Sequence, residues 1–305
     1  MSGDMNITEL VSVLIPSNDI SFIGETLESV FCQTYQNLEI IVVLNGSAVK
    51  EFANLKYIYT NKVKFITCIE NGIVPSLNLG IANCSGSLIA RIDADDLMPP
   101  RRIESQVRFL NNNHEVVCVG GQLEYISQGV AHEKHPGYPT NNSRIKHALY
   151  RFSAMPHPGM MYRKEEVMSI GGYSSEFPFI EDWELLFRLS KSHKLANLDI
   201  TVVNYRVHVS QSTSLNSELQ QKSIQTYIKS RLKHEFDNFL RDKNFLKNLS
   251  NLRRSIAGYL YVSASYPNLG IFRKIHRLIV LILMSLIDPR IAIEYALKKY
   301  SRFVA

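Results

Sequence analysis

The sequence contains few cysteines and none of the motifs that cysteines usually form. Its 305 residues include four cysteines, far apart and without a Cys-x-x-Cys pair: Cys32, Cys68, Cys84 and Cys118. This spacing indicates neither a zinc site nor a redox motif, so reduced and mostly buried thiols are the simpler interpretation. The first residues, MSGDMNITEL, also lack a basic stretch followed by an apolar core, so no secretory signal is predicted. We therefore expect a cytoplasmic protein.

Glycine-rich phosphate-binding motifs are missing after the first predicted strand. The segment that follows VSVLI is PSNDISFIG, which contains no G-x-G-x-x-G. This absence argues against a nicotinamide-dependent oxidoreductase. The same segment lacks the glycine-rich, arginine-bearing loop of a sugar nucleotidyltransferase, so that class of enzyme is also disfavoured.

Long hydrophobic runs and a strong charge of one sign are missing too. The longest apolar run, Leu278 to Ile287, contains a single polar residue, Ser285. It is about half the length of a membrane-spanning helix, so no transmembrane segment is predicted. The net charge is +6 and the pI is near 9.0. This mild excess would suit anionic ligands, nucleic acid or acidic lipid and does not choose among them.

Short β-branched runs alternate with helical patterns in the first part of the chain. VSVLI and EIIVVL predict strands buried on both faces, and GETLESVFCQTY between them predicts a helix. The pattern repeats with KVKFITC, IVPSLNLGIANC and SLIARID. Such β-α-β units predict an α/β fold with a parallel sheet.

The later segments complete this domain and then change character. VVCVGGQLEYI predicts a strand pair or a strand and a turn, EDWELLFRLSK an amphipathic helix, and LANLDITVVNYRVH a last strand. Beyond about Ser210 the sequence shows helical periodicity with many Lys and Arg residues. We predict an α/β domain over residues 1–214 and a basic helical region over residues 215–305.

Three carboxylates crowd the end of one predicted strand. In RIDADDLMPP, Asp93, Asp95 and Asp96 follow the apolar run SLIA. Ligand sites in parallel sheets lie beyond the carboxyl ends of the strands, and crowded like charges need solvent, a cation or a basic neighbour. Two interpretations remain open at this point: a cation-binding site, or a solvated acidic turn in which Asp96 caps a helix.

An ordered series of segments resembles a known family. The segments are VSVLIPSND, QTYQNLEIIVVLNGS, ENGIVPSLNLGIANCSGSLIARIDADD, HPGMMYRKE, GGYSSEFPFIEDWELLFRLS and YRVHVSQSTS, between Val11 and Ser214. In order and spacing, the series resembles the family 2 inverting nucleotide-sugar glycosyltransferases, which have the GT-A fold. The resemblance implies a Rossmann-like, mostly parallel central sheet flanked by helices, followed here by a C-terminal helical region.

The resemblance implies a metal site and a general base. Asp95 would be the ligand of Mn²⁺ or Mg²⁺, with Asp93 and His208 beside it; both ions take oxygen ligands from carboxylates and phosphates. Asp182 resembles the family's base, supported by Glu181. An inverting transfer needs a base to remove the proton of the acceptor hydroxyl. Taken alone, two acids in the first turn of a helix are ordinary partners of the helix dipole.

The resemblance also implies a donor site. Positions that match segments contacting the nucleotide sugar are Pro16, Ser17, Asn18, Asn45, Asn71, Asn78, Arg91, Asp93, Asp96 and Arg206. His157, in HPG, matches a position close to the acceptor and the donor sugar. Asn18, Asn45 and Asn71 have a second interpretation, as turn formers after strands.

Two segments depart from the family pattern. Asn18 and Asp19 follow Pro-Ser where the family usually has Tyr and Asn, and Leu44 and Asn45 stand where it commonly carries two aspartates. The Leu44 side chain cannot accept a hydrogen bond from a uracil base, whereas the Asn45 amide can make one.

The implied activity is a metal-dependent inverting transfer of a hexose. The donor would be a nucleoside diphosphate sugar, with a UDP-sugar favoured, and the acceptor a glycan linked to undecaprenyl diphosphate in O-antigen or capsule biosynthesis. No nucleic-acid partner is implied. The alternative is a non-catalytic sugar-nucleotide or glycan-binding protein on the same fold.

The C-terminal tail carries one further expectation. Over residues 271–305, basic side chains outnumber Asp288 and Glu294 and accompany apolar residues. This pattern suits either peripheral docking on the anionic inner face of the bacterial cytoplasmic membrane or packing on the α/β domain.

Overall fold

The computed structural model describes residues 9–51, 57–59, 61–127, 130–208, 217–241 and 245–265. The strands are β1 Val11–Ser17, β2 Leu38–Leu44, β3 Lys64–Thr67, β4 Leu88–Arg91, β5 Val116–Ser127, β6 Val130–Lys134, β7 Met161–Arg163 and β8 Lys194–Arg206. The α-helices are α1 Ile23–Phe31, α2 Ala48–Glu51, α3 Ile73–Asn83, α4 Arg102–Asn112, α5 Asn142–Ala148, α6 Lys164–Ser169, α7 Glu181–Ser192, α8 Ser217–Arg241 and α9 Phe245–Ser265. A 3-10 turn, His157–Gly159, precedes β7.

One mixed sheet contains all of these strands. Its order is β3-β2-β1-β4-β7-β5-β6, and β8 pairs with β5. β1 is parallel to β2 and β4, β2 is parallel to β3, and β5 is parallel to β8. The short strand β7 is antiparallel to both β4 and β5, and β6 is antiparallel to β5. The predicted α/β architecture with a mostly parallel sheet is confirmed.

The register brings the carboxyl ends of the parallel strands to one edge of the sheet. Ser17 at the end of β1 is opposite Leu44 at the end of β2, and Leu14 is opposite Arg91, the last residue of β4. The segments that follow β1, β2 and β4 therefore emerge side by side. Ligand sites of parallel sheets form at this edge.

Helices cover both faces of the β1-β2-β4 sheet. Side chains of α1 and α4 join one core cluster with Val13, Ile15 and Val42. On the opposite face, α3 packs so closely that a Cβ atom on Gly80 would lie 2.2 Å from Cδ1 of Leu14. Burial on both faces explains why these strands are continuous apolar runs.

β5 is a single long strand, so the prediction of a strand pair or a strand and a turn in this segment is wrong. Gly120 and Gly121 suggested a turn, but both lie within the strand. A Cβ atom on Gly120 would lie 2.4 Å from Oδ1 of Asn197, and one on Gly121 would lie 2.4 Å from Cγ1 of Val202. The two glycines permit close packing by neighbouring segments.

The chain divides into two compact units. The first contains Met1–Lys146, Ser153–Ser175 and Glu181–Gln211, and the second contains His147–Phe152, Glu176–Ile180 and Ser212–Ala305. The predicted boundary between residues 214 and 215 lies outside the described residues. Two short segments that the sequence analysis assigned to the α/β domain thus belong to the second unit.

The second unit is built around α8 and α9. The guanidinium of Arg231 on α8 lies 4.9 Å from the ring centroid of Tyr150 and donates a hydrogen bond of 3.0 Å to the carbonyl of Leu149. None of the helices within the described ranges is long and apolar enough to cross a membrane. The expected membrane-docking tail, residues 271–305, lies outside the described residues.

Candidate active site

The acidic cluster, defined as Asp93, Asp95 and Asp96, follows β4 at the carboxyl edge of the sheet. One carboxylate oxygen from each residue lies within 4.8 Å of the others. Asp96 is fully buried, whereas the side chains of Asp93 and Asp95 are 29% and 31% exposed. Asp96 therefore forms the buried part of the cluster, and Asp93 and Asp95 are accessible to solvent.

Arg91 supplies the positive charge beside the cluster. Its Nη1 donates a hydrogen bond of 2.8 Å to Asp93, and Nη2 forms an ion pair with the other carboxylate oxygen. Burial is the main cause that raises the pKa of Asp93 to about 6. The charge of Arg91 opposes this rise, and the charges of Asp95 and Asp182 add to it. Arg91 thus offsets only part of the repulsion between these carboxylates.

Asp96 joins the cluster to β8, the last strand along the chain. Its Oδ1 accepts a hydrogen bond of 2.9 Å from the backbone N–H of Arg206. Its Oδ2 is buried and has no hydrogen-bond partner in the part of the chain that the structure describes. Burial and the charges of Asp93 and Asp95 raise the pKa of Asp96 well above its ordinary value. An unpaired buried oxygen among crowded carboxylates fits a divalent cation that prefers oxygen ligands.

Arg206 at the end of β8 and His208 just after it contact the acidic cluster. The Arg206 guanidinium donates hydrogen bonds of 2.7 Å to the carbonyl of Asp95 and to the carboxylate of Glu25. It lies 4.5 Å from the ring centroid of Phe22. Nε2 of His208 lies 2.8 Å from Oδ2 of Asp95. The structure therefore brings Arg206 and His208 to the acidic cluster, and their roles toward a phosphate and a metal stay predictions.

Glu25 and Phe22 are site residues that the sequence analysis missed. Glu25 pairs with a residue 181 positions away, and no motif connects the two. A lone acid near the start of α1 reads as an ordinary partner of the helix dipole. Only the packing of α1 beside β8 shows its role.

Glu181 and Asp182 begin α7, and the charge of Asp182 reaches Asp93 of the acidic cluster. The Ser153 hydroxyl donates a hydrogen bond of 2.8 Å to Oδ2 of Asp182. Burial raises the pKa of Asp182, and burial together with the charge of Asp182 raises the pKa of Glu181 to about 7. Oε2 of Glu181 is buried without a hydrogen-bond partner among the described residues. Ser153 is a further site residue that the sequence did not indicate.

His157 lies in the 3-10 turn before β7, where its ring contacts a buried tyrosine. Nε2 of His157 is 3.0 Å from the hydroxyl of Tyr173. Burial and the charge of Arg91 hold the pKa of His157 well below its ordinary value, so the ring is neutral at pH 7. The His157 ring can therefore exchange a hydrogen bond but carries no charge.

Arg102, a buried residue of α4, ties this turn to the acidic cluster. It donates hydrogen bonds of 2.7 Å to the carbonyl of Arg91 and 2.8 Å to the carbonyl of Pro158. A third bond of 3.2 Å goes to the carbonyl of Met160. One side chain thus sets the spacing between the end of β4 and the turn that carries His157. The sequence analysis did not identify it.

The predicted donor residues of β1 and β2 lie at the same edge of the sheet. Pro16 and Ser17 are buried at the end of β1, and Asn18 is exposed after it. The amide of Asn45, at the end of β2, donates hydrogen bonds of 2.9 Å to the carbonyl of Gly72 and 2.5 Å to the hydroxyl of Ser76. The Asn45 side chain therefore braces the loop before α3.

Two other predicted donor residues lie in and beside α3. Asn71 is exposed in the loop that precedes this helix. Asn78 uses both ends of its amide, because it donates a hydrogen bond of 2.9 Å to the carbonyl of Tyr173 and accepts one of 2.9 Å from its N–H. In this structure Asn78 positions Tyr173, and its contact with a donor stays a prediction.

Comparison with known proteins shows which family this chain resembles. The family model described as glycosyl transferase family 2 matches residues 12–170, which is more than half of the chain. The chain is 28% identical over 238 residues to an O-antigen biosynthesis glycosyltransferase, WbnJ, of Escherichia coli, covering 74% of this chain and 92% of the relative. It is also 28% identical over 189 residues to an E. coli UDP-Gal:alpha-D-GlcNAc-diphosphoundecaprenol beta-1,3-galactosyltransferase, covering 58% of this chain and 64% of that one.

A solved structure shares the fold. The crystal structure of S. aureus TarS residues 1–349 in complex with UDP-GlcNAc is similar with a TM-score of 0.62 at 16% identity. The similarity covers 92% of this chain and 82% of that one. The predicted GT-A fold is thereby confirmed, and the family model extends from β1 through the acidic cluster to α6. The chain belongs to glycosyl transferase family 2.

Proposed function

We propose that this protein transfers a hexose from a nucleoside diphosphate sugar to a hydroxyl of a glycan acceptor, with inversion at the anomeric carbon. The proposal rests on one observation: the acidic cluster and the carboxylate of Asp182 are close enough for their charges to interact. The acidic cluster lies beyond β4, and the charge of Asp182 on α7 reaches it and raises the pKa of Asp93. One group would hold the donor and the other would act on the acceptor.

The acidic cluster would hold the metal of a metal–diphosphate site. Asp95, with Asp93 and His208, would bind Mn²⁺ or Mg²⁺, and the unpaired oxygen of Asp96 supports the assignment. The ion would stabilise the negative charge that grows on the departing diphosphate. The Arg91 guanidinium already neutralises Asp93, so it would limit the repulsion between the cluster and a phosphate.

Asp182 would act as the general base. As the acceptor oxygen forms its bond to the anomeric carbon, the bond from that carbon to the phosphate oxygen breaks. The bonding electrons leave with the nucleoside diphosphate, and the hydroxyl proton passes to the carboxylate of Asp182. A raised pKa brings this group closer to working pH, which favours proton transfer. A single displacement turns an α-linked donor into a β-linked product.

The donor and acceptor classes are proposed from the relatives. The galactosyltransferase relative is named for a UDP-Gal donor and a GlcNAc-diphosphoundecaprenol acceptor, and the TarS structure contains UDP-GlcNAc. WbnJ is named for O-antigen biosynthesis. By similarity, we propose a UDP-sugar donor and a lipid-linked glycan acceptor in surface-polysaccharide biosynthesis for this chain. Peripheral attachment of its tail to the inner membrane surface would bring it to such an acceptor.

Calorimetric titration tests the donor site. The wild-type protein is titrated with UDP-, GDP- and dTDP-sugars, each with and without Mn²⁺, and the series is repeated on Asp95→Ala. We expect one nucleotide class to bind only with the metal and to lose most of its affinity in the variant. Asp199→Ala, at an exposed aspartate of β8, is the matched control. If no nucleotide sugar binds to the wild-type protein, the proposed function is wrong.

Turnover then separates the enzyme from a binding protein. Donor hydrolysis is followed by release of the nucleoside diphosphate in the presence of Mn²⁺. A protein that binds a donor tightly but neither hydrolyses nor transfers the sugar is the non-catalytic alternative on the same fold.

A further inference from the structure

Four aromatic side chains form a half-buried cluster at the β5–β8 end of the first unit. We define the aromatic cluster as Tyr125, His135, Tyr138 and Tyr205. The rings of His135 and Tyr138 are stacked, with centroids 4.3 Å apart and planes 5° apart. Tyr125 makes an edge-on contact with Tyr205 at 6.0 Å and a tilted contact with His135 at 6.3 Å. The cluster is thus a continuous set of rings that keeps part of its surface open to solvent.

A small core of apolar residues and the side chain of Gln122 hold the aromatic cluster in place. Buried Leu123 of β5 and Val203 of β8 lie in a small core with Tyr125, Tyr138 and Tyr205. The side chain of Gln122 holds the backbone of Tyr138 with two hydrogen bonds, accepting one of 2.7 Å and donating one of 3.2 Å. Side chains fixed in this way lose little conformational entropy when a ligand binds.

A buried asparagine connects the aromatic cluster to the proposed base. The Asn197 amide donates hydrogen bonds of 2.8 Å to the carbonyl of Pro139 and 2.9 Å to the carbonyl of Ala154. Pro139 follows Tyr138, and Ala154 follows Ser153, whose hydroxyl donates to Asp182. Tyr138 and Asp182 are therefore positioned through one short set of contacts. The charge of Asp182 also contributes to the raised pKa of the Tyr138 phenol, whose main cause is burial.

The backbone of β8 joins the other end of the aromatic cluster to the segment that carries the acidic cluster. Tyr205 stands in the chain between Asn204 and Arg206, and the backbone of both residues bonds to that segment. Asn204 and Leu97 exchange backbone hydrogen bonds of 2.9 and 3.0 Å, and the N–H of Arg206 donates to Asp96. The backbone of β8 therefore connects Tyr205 to the acidic cluster, as Asn197 connects Tyr138 to the surroundings of Asp182.

We propose that the aromatic cluster binds a pyranose ring of the glycan acceptor and presents its hydroxyl to Asp182. This inference rests on the proposed function and names the acceptor side of the same site. A pyranose has an apolar face of C–H groups and an equator of hydroxyls. Tyrosine and histidine match both, because each offers a flat apolar ring and a polar edge. A nucleotide sugar would instead be held through its diphosphate by a divalent cation at the acidic cluster.

Saturation-transfer NMR with a panel of methyl pyranosides tests this proposal without requiring turnover. The probes are the methyl glycosides of glucose, galactose, mannose, N-acetylglucosamine, N-acetylgalactosamine and rhamnose. Aromatic protons of the protein are saturated, and transfer to the ring C–H protons of each sugar is recorded. Tyr138→Leu removes the ring at the Asp182 end of the aromatic cluster, and Tyr138→Phe keeps it. Tyr57→Leu removes an exposed tyrosine ahead of β3 at the other end of the strand order.

We expect transfer to at least one pyranoside in the wild-type protein, the Tyr57→Leu variant and the Tyr138→Phe variant. The signal should fall about fivefold or more in Tyr138→Leu, because the stacking surface is lost. Transfer that is absent in the wild type, or unchanged in a folded Tyr138→Leu protein, would overturn the inference. Donor titration of the same samples is independent: sugar stacking without nucleotide binding would overturn the proposed function alone.

Discussion

The hydroxyl of Ser153 donates a hydrogen bond of 2.8 Å to the carboxylate of Asp182, 29 positions later in the chain. This bond stabilises the ionised form of a carboxylate whose pKa is otherwise raised by burial. Ser153 therefore both orients the proposed base and limits the rise of its pKa.

Replacing Ser153 by alanine should move the pH dependence of transfer. Without the donated bond the pKa of Asp182 rises further, and a general base must be deprotonated to act. The acid limb of the kcat/KM profile should therefore shift to higher pH by about one unit, the size expected for a hydrogen bond to a charged group. Initial rates between pH 5 and 9 measure this shift, with the exposed Ser169→Ala as control. An unchanged acid limb would contradict the role of Ser153.

Asp182→Asn should separate transfer from donor binding. The amide preserves the size of the side chain but cannot accept a proton, so transfer should fall by about 10²–10⁴-fold. Metal-dependent donor binding should stay within about twofold of wild type, because the acidic cluster that would hold the metal is untouched. Calorimetry and single-turnover transfer measure the two effects, and Asp199→Asn is the control. Near wild-type transfer would exclude Asp182 as the base.

Glu181 should make the metal-free protein less stable as the pH rises. Its pKa is raised from 4.5 to about 7 in the fold, so the folded state binds more protons than the unfolded state between these values. The stabilisation is present below pH 4.5 and is lost as the pH rises through about 7.

Glu181→Gln should remove part of that dependence. Thermal unfolding with a chelator present should show a melting temperature several degrees lower at pH 8 than at pH 5 in the wild type, and a smaller difference in the variant. Glu165→Gln, at an exposed glutamate of α6, should keep the wild-type difference. Equal pH dependence in the wild type and Glu181→Gln would refute this assignment.

Arg102→Met should be strongly destabilising, whereas the neighbouring Arg101→Met should not. Buried Arg102 donates to the carbonyls of Arg91, Pro158 and Met160, and methionine would remove all three bonds. The Met160 carbonyl would keep the N–H of Arg91, whereas the other two carbonyls would lose this buried donor. We expect a loss of about 2–4 kcal/mol in the free energy of unfolding. Arg101 is 75% exposed with one surface ion pair, so its loss should cost less than about 1 kcal/mol. Urea unfolding measures both, and equal effects would contradict the role of Arg102.

The sequence predicted the sheet well where burial leaves a local signature. β1, β2 and β4 are mostly apolar on both faces because helices cover both sides. Each therefore appears as a short apolar run that needs no tertiary information to detect. The prediction for β5 was wrong because a pair of glycines such as Gly120–Gly121 can either form a turn or allow close packing within a strand. In isolation two glycines favour a turn, whereas here they admit the close approach of Asn197 and Val202.

The residues of the candidate site were likewise easiest to predict where they are close together in the sequence. Asp93, Asp95 and Asp96 are adjacent in sequence, so their chemistry was visible as soon as β4 was predicted. Ser153, Glu25 and Arg102 were not visible, because single polar residues of these types are common and mostly solvated.

The sequence by itself determined the order of strands and helices, the acidic cluster after β4 and the acidic pair at the start of α7. These features depend on local periodicity and on neighbouring residues. Only the tertiary structure decided that Arg206 and His208 meet the acidic cluster, that Ser153 binds Asp182, and that the four rings of the aromatic cluster contact one another. The hydrogen bonds among these contacts join positions 29 to 113 residues apart, and their geometry is set by sheet register and helix packing.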